Sequence, residues 1–497
     1  MNTVLTIAAD EWRYWRRSHL ALAGFVLFAV LIVATSIITT SRIAEDRHVR
    51  DHQQEQAEET FLAQPDRHPH RMVHYGHYVF RTPVPLAIFD PGVDPVTGQS
   101  IFLEGHRQNS AMFAETRASA DLGGMALLTP AFVYQVIAPL LVILLGHSAI
   151  VRERESRTLA PLLAQGVGGR TLLAGKLVAL VGAIVLLLVP LFVVSGMALA
   201  AGEVFLSVVS IALSYFVYLV LWGLMTLVAS TALRRRASVL AGLSAVWIAV
   251  TLLVPAIGVS AAAYIAPVPG KIETDLDILE ALREVGDGHN ANDPAFARLR
   301  DDLLEQYDVE TVEELPINFR GIVAQYAEGE LTRVLNEYAE GRMEAELEQS
   351  HVLSRFGWAS PMLALGAASR AIAGTDLEMH HRFLREAEQL RFDFVQSLNE
   401  VHAEQLTYAD DINRSSDTEA ERRTRVSSEN WSVLDEFEFT AAPASVRLSH
   451  AGSPLIMLIV WSGLMLALSL HLSRKLQPLA SHRLSLGKQP SCCGTGR

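Results

Sequence analysis

The chain has 497 residues, of which 50% are hydrophobic and 19% are charged, and its net charge is −13. Apolar stretches of about 20 residues, long enough to cross about 30 Å of hydrocarbon as helices, dominate it and exclude a soluble globular protein. The two cysteines exclude a disulfide-rich scaffold, and the acidic balance gives no support for a nucleic-acid partner.

Six of these stretches predict transmembrane helices, so we expect an all-α polytopic membrane protein. They cover residues 20–40, 126–150, 177–200, 206–229, 237–265 and 454–472. Before the first, Trp12, Tyr14 and Trp15 lie among arginines, a composition that predicts a helix in the lipid headgroup region. A further apolar stretch, 361–372, is too short to span and contains Arg370, so we expect a soluble core helix or an interfacial segment.

The distribution of Lys and Arg predicts the orientation, because these residues accumulate in short cytoplasmic connections. With the N-terminus inside, the inner segments are 1–19, 151–176, 230–236 and the tail after residue 472. These segments hold 16 Lys and Arg but only four acids. We therefore expect both termini on the cytoplasmic side.

The predicted organisation has five parts. They are an interfacial helix with the first span (1–40), a first extracytoplasmic loop (41–125), the next four spans with an inner connection at 151–176 (126–265), a large extracytoplasmic region (266–451), and the last span with its tail (452–497).

Both extracytoplasmic insertions carry structural signals. The first loop begins as a polar helical run and continues with Pro, Gly and Asp between short apolar groups, which predicts partly β and irregular structure. The second region is predicted to be mainly helical. Its clearest pattern is an amphipathic stripe at three- and four-residue spacing, formed by Phe383, Ala387, Leu390, Phe394, Leu398 and Val401.

The predicted spans contain no Asp, Glu, Lys or Arg, and only His147 and His471 titrate near neutral pH there. A carrier driven by an ion gradient normally needs an ionisable group near the membrane midplane, so that class is disfavoured. The stretch "GGRTLLAGKL" departs from a phosphate loop, since Leu177 replaces the magnesium-binding Ser or Thr. Metalloprotease and serine-hydrolase motifs are also missing from the sequence, so we expect neither catalysis nor a bound cofactor in this chain.

Histidines give the one signal for a metal. The first loop contains seven, and His68, His70, His74 and His77 are closely spaced in "RHPHRMVHYGH", a density that could ligate zinc or copper. No cysteine, and no carboxylate at a ligand-like spacing, completes the set. We therefore predict no metal site and keep these four histidines as candidates.

The inner connection 151–176 is the longest cytoplasmic segment between spans and carries seven charged side chains. Such a segment is either a solvated loop or a docking element. In "TLAPLLAQ", Leu159, Leu162 and Leu163 share one helix face, and an amphipathic helix of this kind suits docking to a soluble partner.

At this connection the chain resembles the ABC-2 type permeases, in the group described as multi-copper enzyme maturation permeases. The matching positions are Glu153, Glu155, Thr158, Leu159, Leu162, Leu163, Gln165, Arg170, Gly175 and Lys176. Arg157 and Gly166 replace the Gly and Pro of the family pattern. The outer stretches that begin "HYGHYVFRTP" and "SPMLALGAAS" are similar to a subfamily with an outer domain of unknown function, DUF3526.

The resemblance implies that 151–176 holds a coupling helix, which seats in a cleft of a separate ATP-binding subunit that uses the ATP. It also implies a second permease subunit, identical or related, and a place among the lipids of the bacterial inner membrane, with export or extraction of a substrate. We hypothesise that Glu153 and Glu155 engage basic groups on the ATPase while Leu159 and Leu163 fill its groove. The outer domains would then receive cargo or contact a periplasmic partner protein.

Three other functions stay open at this point. A receptor would need an inner output module, and the inner segments are all shorter than about 30 residues. A membrane-embedded enzyme would need a convergent catalytic set near the spans. A scaffold that assembles a periplasmic complex is consistent with the same sequence.

Overall fold

The computed structural model describes residues 3–112, 128–286, 288–434 and 437–476. Within them, six helices are long and apolar enough to cross a membrane, which confirms the all-α polytopic class. We call them spans 1 to 6: His19–Leu62, Pro130–Glu155, Gly169–Leu187, Phe205–Ala232, Arg236–Ile265 and Ala444–Lys475. Residues 113–125 of the predicted first loop and the tail beyond 476 lie outside the described residues.

The first half of the chain supplies α1 to α12. They are α1 (Thr3–Arg17), α2 (His19–Leu62), α3 (Pro69–Val73), α4 (Pro130–Phe132), α5 (Ala138–Gly146), α6 (Val151–Glu155), α7 (Leu159–Ala164), α8 (Gly169–Leu187), α9 (Val189–Ala200), α10 (Phe205–Ala232), α11 (Arg236–Ile248) and α12 (Val254–Ile265). π-Helical turns at Val133–Ile137 and Ala249–Leu253 lie inside spans 2 and 5.

The second half is helical as predicted. It contains α13 (Lys271–Leu282), α14 (Ala297–Tyr307), α15 (Phe319–Arg355), α16 (Pro361–Ala373), α17 (Leu377–Gln405), α18 (Tyr408–Asn413), α19 (Thr418–Arg423) and α20 (Ala444–Lys475). Short 3₁₀ turns occur at Pro85–Ile88, Pro294–Phe296, Val312–Glu314, Phe356–Trp358 and Ser428–Leu434.

Hydropathy located the spans but not all of their ends. Span 1 continues as one helix to Leu62, far beyond the predicted end at residue 40, because a helix satisfies its own backbone and need not stop at the lipid boundary. The predicted third span, 177–200, is divided at Leu188 into α8 and α9. Pro190, at the start of α9, has no N–H to donate into α8 and so separates the two helices.

The short apolar stretch that we predicted to be a core or interfacial helix forms α16, which at 13 residues is shorter than a span, as predicted, and whose core is the one that the spans share. Trp461 of span 6 donates to the Trp358 carbonyl at 2.9 Å, and Arg447 donates to the Ile372 carbonyl at 2.9 Å. The two contacting residues of span 6 are 14 positions apart, so α16 runs beside span 6 for about 20 Å. Leu365, buried with residues of spans 2, 4 and 6, belongs to the same hydrophobic core.

The start of α16 lies well inside span 5. Gln349 of α15 donates to the Ala266 carbonyl just beyond the outer end of span 5, whereas Ser360 donates to the Val250 carbonyl at its middle. The hydroxyl of Ser360 also caps α16 by accepting from the Leu363 N–H at 3.2 Å. The length criterion holds here, since α16 is too short to span, but length does not show that neighbouring helices enclose the segment.

The two insertions predicted to be extracytoplasmic, between spans 1 and 2 and between spans 5 and 6, pack together in one fold. Strands β1 (His77–Phe80) and β2 (Ser100–Leu103) form an antiparallel hairpin, with His77 opposite Leu103. Val79 and Ile101 of this hairpin pack with Phe383 of α17 in one hydrophobic cluster. The predicted stripe on α17 is confirmed, since Phe383, Ala387, Phe394 and Leu398 are buried and Leu390 and Val401 are partly buried.

Candidate functional site

The N-terminal helix α1 lies along the inner half of α8 and fixes the start of span 3. A Cβ atom added at Gly175 would be 2.6 Å from Cβ of Ile7, so only glycine allows this approach. Trp15 donates its indole N–H to the Leu145 carbonyl at 3.1 Å. The glycine of the predicted Gly-Lys pair therefore has a packing role between α1 and α8.

Four charged side chains form a buried cluster where α1, α6 and α8 meet. Glu11, 1% exposed, contacts both Arg152 and Lys176, and Lys176 is 2% exposed. Glu153 lies 3.1 Å from Nζ of Lys176 and 3.3 Å from Nη2 of Arg152. Two acids balance two bases, which avoids the large cost of an unpaired buried charge and locks the three helices together.

The position of Glu153 differs from our hypothesis that it engages the ATPase. Its carboxylate accepts a hydrogen bond from the Thr158 hydroxyl at 2.5 Å in addition to its contacts with Lys176 and Arg152. The side chain is therefore satisfied within its own chain. Sequence analysis missed Glu11, although its spacing from Ala8 and Trp15 places it on the buried face of α1.

The residues next to Glu153 tie the inner connection to spans 4 and 5. Arg154 donates to the Thr231 carbonyl at 2.9 Å, at the C-terminal end of α10, where carbonyls lack helical partners. Glu155 accepts from the backbone N–H of Arg236 at 2.9 Å and contacts its guanidinium. α6 therefore caps the inner ends of both spans.

Helix α7 presents a small and partly polar face to solvent. Leu159 is buried with Ile150, Leu172 and Leu476, so it anchors α7 to this chain and is not free to fill a partner's groove. Leu162 and Leu163 are half-buried. The outward side chains are Ala160, Pro161, Ala164 and Gln165, and Thr158 and Arg170 are exposed at either end of the segment.

Both departures from the family pattern lie at turns with left-handed backbone. Arg157 has φ +57° and Gly166 has φ +87°. Glycine suits such angles, whereas proline is fixed near −65° and cannot adopt them. After α7, Gly166 and Val167 donate to the carbonyls of Leu163 and Leu162, the pattern of a helix ended by glycine.

A chain of polar side chains joins α16 to spans 2 and 4. Ser369 donates to Asp90 at 2.5 Å, its oxygen lies 3.0 Å from the Tyr215 hydroxyl, and Gln135 donates to Tyr215 at 2.8 Å. Burial raises the pKa of Asp90. Gln135 belongs to the π-helical turn of span 2, a feature frequent at functional sites.

A buried ion pair closes the outer end of the same bundle. Arg447 of span 6 lies 2.5 Å from Glu203, in the connection between α9 and α10, and donates to the Ser207 hydroxyl at 3.2 Å. Both charges lie just outside the predicted apolar stretches. The pair therefore holds span 6, α16 and the α9–α10 connection in register.

The structure separates the four histidines proposed as metal candidates. His70 and His74 lie together and are joined by His106 and His289, from distant parts of the chain. Burial, followed by the charges of its histidine neighbours, lowers the pKa of His70 to about 2. His77 lies apart, with its ring against Phe61 at 5.4 Å.

His68 belongs to a different buried cluster, with His402 and Asp411. Nε2 of His68 is 3.2 Å from one carboxylate oxygen of Asp411, and Nε2 of His402 is 2.8 Å from the other. Arg320 and Arg414 lie 3.7 and 3.5 Å from the same carboxylate. This cluster joins the first loop to α17 and α18 through the Asp411 carboxylate, both of whose oxygens are already engaged by these side chains.

Two family descriptions match the chain. The family described as ABC-2 family transporter protein matches residues 5–303, which include α1, the inner connection and spans 1 to 5. The domain of unknown function DUF3526 matches residues 271–440, between spans 5 and 6. No curated protein sequence matches the chain. Both family matches confirm the resemblances seen in the inner connection and the outer stretches.

Proposed function

Because the chain belongs to the ABC-2 transporter family and is the permease subunit of an ABC transporter, we propose that a separate ATP-binding subunit docks on its inner connection. The observation that supports this most is α7, a short helix held by Leu159 with a small-residue face turned to the cytoplasm. A protein surface of this form suits insertion into a partner's groove.

The proposed coupling residues divide into two roles. Thr158, Gln165 and Arg170 are exposed and would contact the ATPase directly, together with the accessible part of Glu155. The other residues hold α7 and the helix ends in place. Glu153 and Lys176 do so through the charge cluster, and Leu159 does so through its buried apolar contacts. Leu162 and Leu163 contribute from half-buried positions.

Movement of α7 would reach several spans at once. α6 precedes α7 and is bonded to the inner ends of spans 4 and 5 through Arg154 and Glu155. The charge cluster joins the same helix to α1 and span 3 through Glu11 and Lys176. A rigid connection of this kind would convert closure of the ATPase into displacement of the bundle.

We further propose a complex of two permease subunits, identical or related, with two ATPases in the bacterial inner membrane, exporting or extracting a substrate. The basic inner segments support cytoplasmic termini. This chain binds no cofactor in the proposal, since the partner subunit uses the ATP. The joined outer insertions would receive cargo or bind a periplasmic partner protein.

Site-specific photo-crosslinking tests the docking surface. A photoreactive amino acid replaces exposed Gln165 in one variant and, as the control, exposed Val96 of the outer loop in another. We expect position 165 alone to capture a protein with nucleotide-binding motifs, identified by mass spectrometry. Capture of no ATPase at 165, in cells that express the whole operon, would favour the receptor or scaffold functions instead.

A further inference from the structure

Four histidine rings converge on the outer face of the protein. His70 and His74 lie on and just after α3, His106 lies in the turn after β2, and His289 precedes α14. One ring nitrogen from each lies within 4.8 Å of the other three. We propose that these four imidazoles bind one divalent transition-metal ion, and that zinc is the metal they suit best.

The nitrogen spacing fits a tetrahedral ion. Nε2 of His74 is 3.2 Å from Nε2 of His70 and 3.4 Å from Nε2 of His289. Four nitrogens at the usual zinc distance would be about 3.3 Å apart. A square-planar copper(II) site would bring neighbouring nitrogens to about 2.8 Å. Since no pair of these nitrogens is more than 4.8 Å apart, closure by at most about 1.5 Å reaches tetrahedral spacing, which exposed side chains such as His74 and His289 allow.

His106 is oriented by a second group, as metal-bound histidines usually are. Its Nδ1 lies 2.8 Å from the carboxylate of Glu328, which is itself 2.5 Å from Arg391. Its Nε2 is buried and lacks a hydrogen-bond partner among the described residues. The backbone of His106 has φ +63°, an uncommon angle for a residue with a side chain. The carboxylate thus fixes one nitrogen and leaves the other as a ligand.

The cluster of His68, His402 and Asp411 shows why the same chemistry is not assigned there. Both Nε2 atoms are engaged by the Asp411 carboxylate, and Arg320 and Arg414 place positive charge beside it. A cation would have to displace these contacts. In the four-histidine cluster, Glu328 contacts Nδ1 of His106 and leaves Nε2 without a hydrogen-bond partner among the described residues, so it adds negative charge without occupying that nitrogen.

A metal here would fasten the two extracytoplasmic insertions to each other. Three ligands come from the first loop, whereas His289 comes from the second region, between α13 and α14. Ala291 and Phe296 of this segment pack with apolar residues of α14 and α15, whereas His289, Asn290 and Asn292 are exposed, so the stretch at His289 is its less tightly held part. The ion would therefore order the segment beside α14 against α3 and the turn after β2.

The test uses the full-length protein in detergent, stripped with a chelator and then titrated with zinc. We expect one zinc per chain by mass spectrometry of the metal, and visible bands of tetrahedral intensity when cobalt(II) replaces it. His74→Ala and His289→Ala change exposed side chains and should each weaken zinc binding by more than about tenfold. His52→Ala, an exposed histidine of α2, is the matched control and should bind as the wild type does.

A second readout follows the structural role. Zinc should slow amide hydrogen exchange at residues 288–296 in the wild type and in His52→Ala, but not in His289→Ala. Binding of less than one zinc per chain, octahedral cobalt spectra, or equal zinc affinity in the wild type and both cluster variants would overturn the proposal.

Discussion

Glu11 of the N-terminal helix and Lys176 of span 3 form a buried ion pair although 165 positions separate them in the sequence. Arg152 and Glu153 complete the cluster, so one point of contact joins α1, α6 and α8. This point lies directly behind the exposed helix α7. The geometry therefore makes the N-terminal helix part of the element that holds α7 in position.

Removing the charge of Glu11 should loosen that element. In Glu11→Gln, Arg152 and Lys176 keep only Glu153 as an acidic partner, and breaking a buried pair in this way costs about 3 to 5 kcal/mol. We expect a lower thermal unfolding temperature in detergent and faster proteolysis of α1. The control is Asp10→Asn, which changes an exposed neighbour and should have no effect.

A rescue variant separates charge from packing at this position. Adding Lys176→Met to Glu11→Gln removes the excess positive charge, since Glu153 then balances Arg152 alone, and should recover more than half of the lost thermal stability. An unfolding temperature for Glu11→Gln equal to the wild type would show that the cluster does not stabilise the fold.

The two left-handed turns flanking α7 give a paired prediction. Arg157→Gly should stabilise the protein by up to about 1 kcal/mol, because glycine removes the backbone strain that arginine has at a positive φ. The greater conformational freedom of glycine in the unfolded chain offsets part of this gain. Gly166→Ala should destabilise it by about 1 kcal/mol. No atom lies within 4 Å of the added Cβ, so this cost is conformational. Chemical unfolding in detergent measures both, and shifts of equal sign would be inconsistent with the turns as described.

Buried His77 should make the outer fold sensitive to acid. Burial alone lowers its pKa from 6.5 to about 4, and neither ring nitrogen has a hydrogen-bond partner among the described residues. The unfolded chain therefore binds this proton first as pH falls. Keeping His77 neutral in the fold therefore contributes to the free energy of unfolding. This contribution is fully present above pH 6.5 and is lost as pH falls through 4, by up to about 3 kcal/mol.

His77→Phe tests whether His77 makes the fold less stable at low pH, and it keeps an aromatic ring against Phe61. The variant should lose less stability than the wild type between pH 7 and pH 4.5, because its ring cannot be protonated. The exposed control His52→Ala should keep the wild-type pH dependence. An identical pH profile for His77→Phe and the wild type would refute the assignment.

The six membrane-capable helices could be predicted because the bilayer imposes a simple requirement on composition and length. A docking role could be proposed for the inner connection from its resemblance to a family. The resemblance did not show which of its side chains face outward and which face their own chain. Whether Glu153 faces a partner or its own chain depends on Glu11 and Lys176, and nothing local to Glu153 shows which residues pack behind it. Leu159 was assigned to the docking face for the same reason.

The histidine cluster shows the same limit. His70 and His74, four positions apart, were visible as a pair, but His289 is 215 residues away from His74 and no sequence pattern connects it to them. The packing of α16 against the spans was not predicted because length and hydropathy do not reveal which helices enclose a short apolar segment. In both cases the missing information is tertiary contact.

The most direct test of the central claim is ATP hydrolysis by the purified complex. The variant Ala160→Asp with Ala164→Asp places two charges on the exposed face of α7, and Ala295→Asp with Ala409→Asp makes the same change on the exposed outer region. We predict that the first pair lowers ATPase stimulation by the permease at least tenfold while both proteins stay folded. Equal stimulation by the two variants would contradict docking of the ATPase on α7.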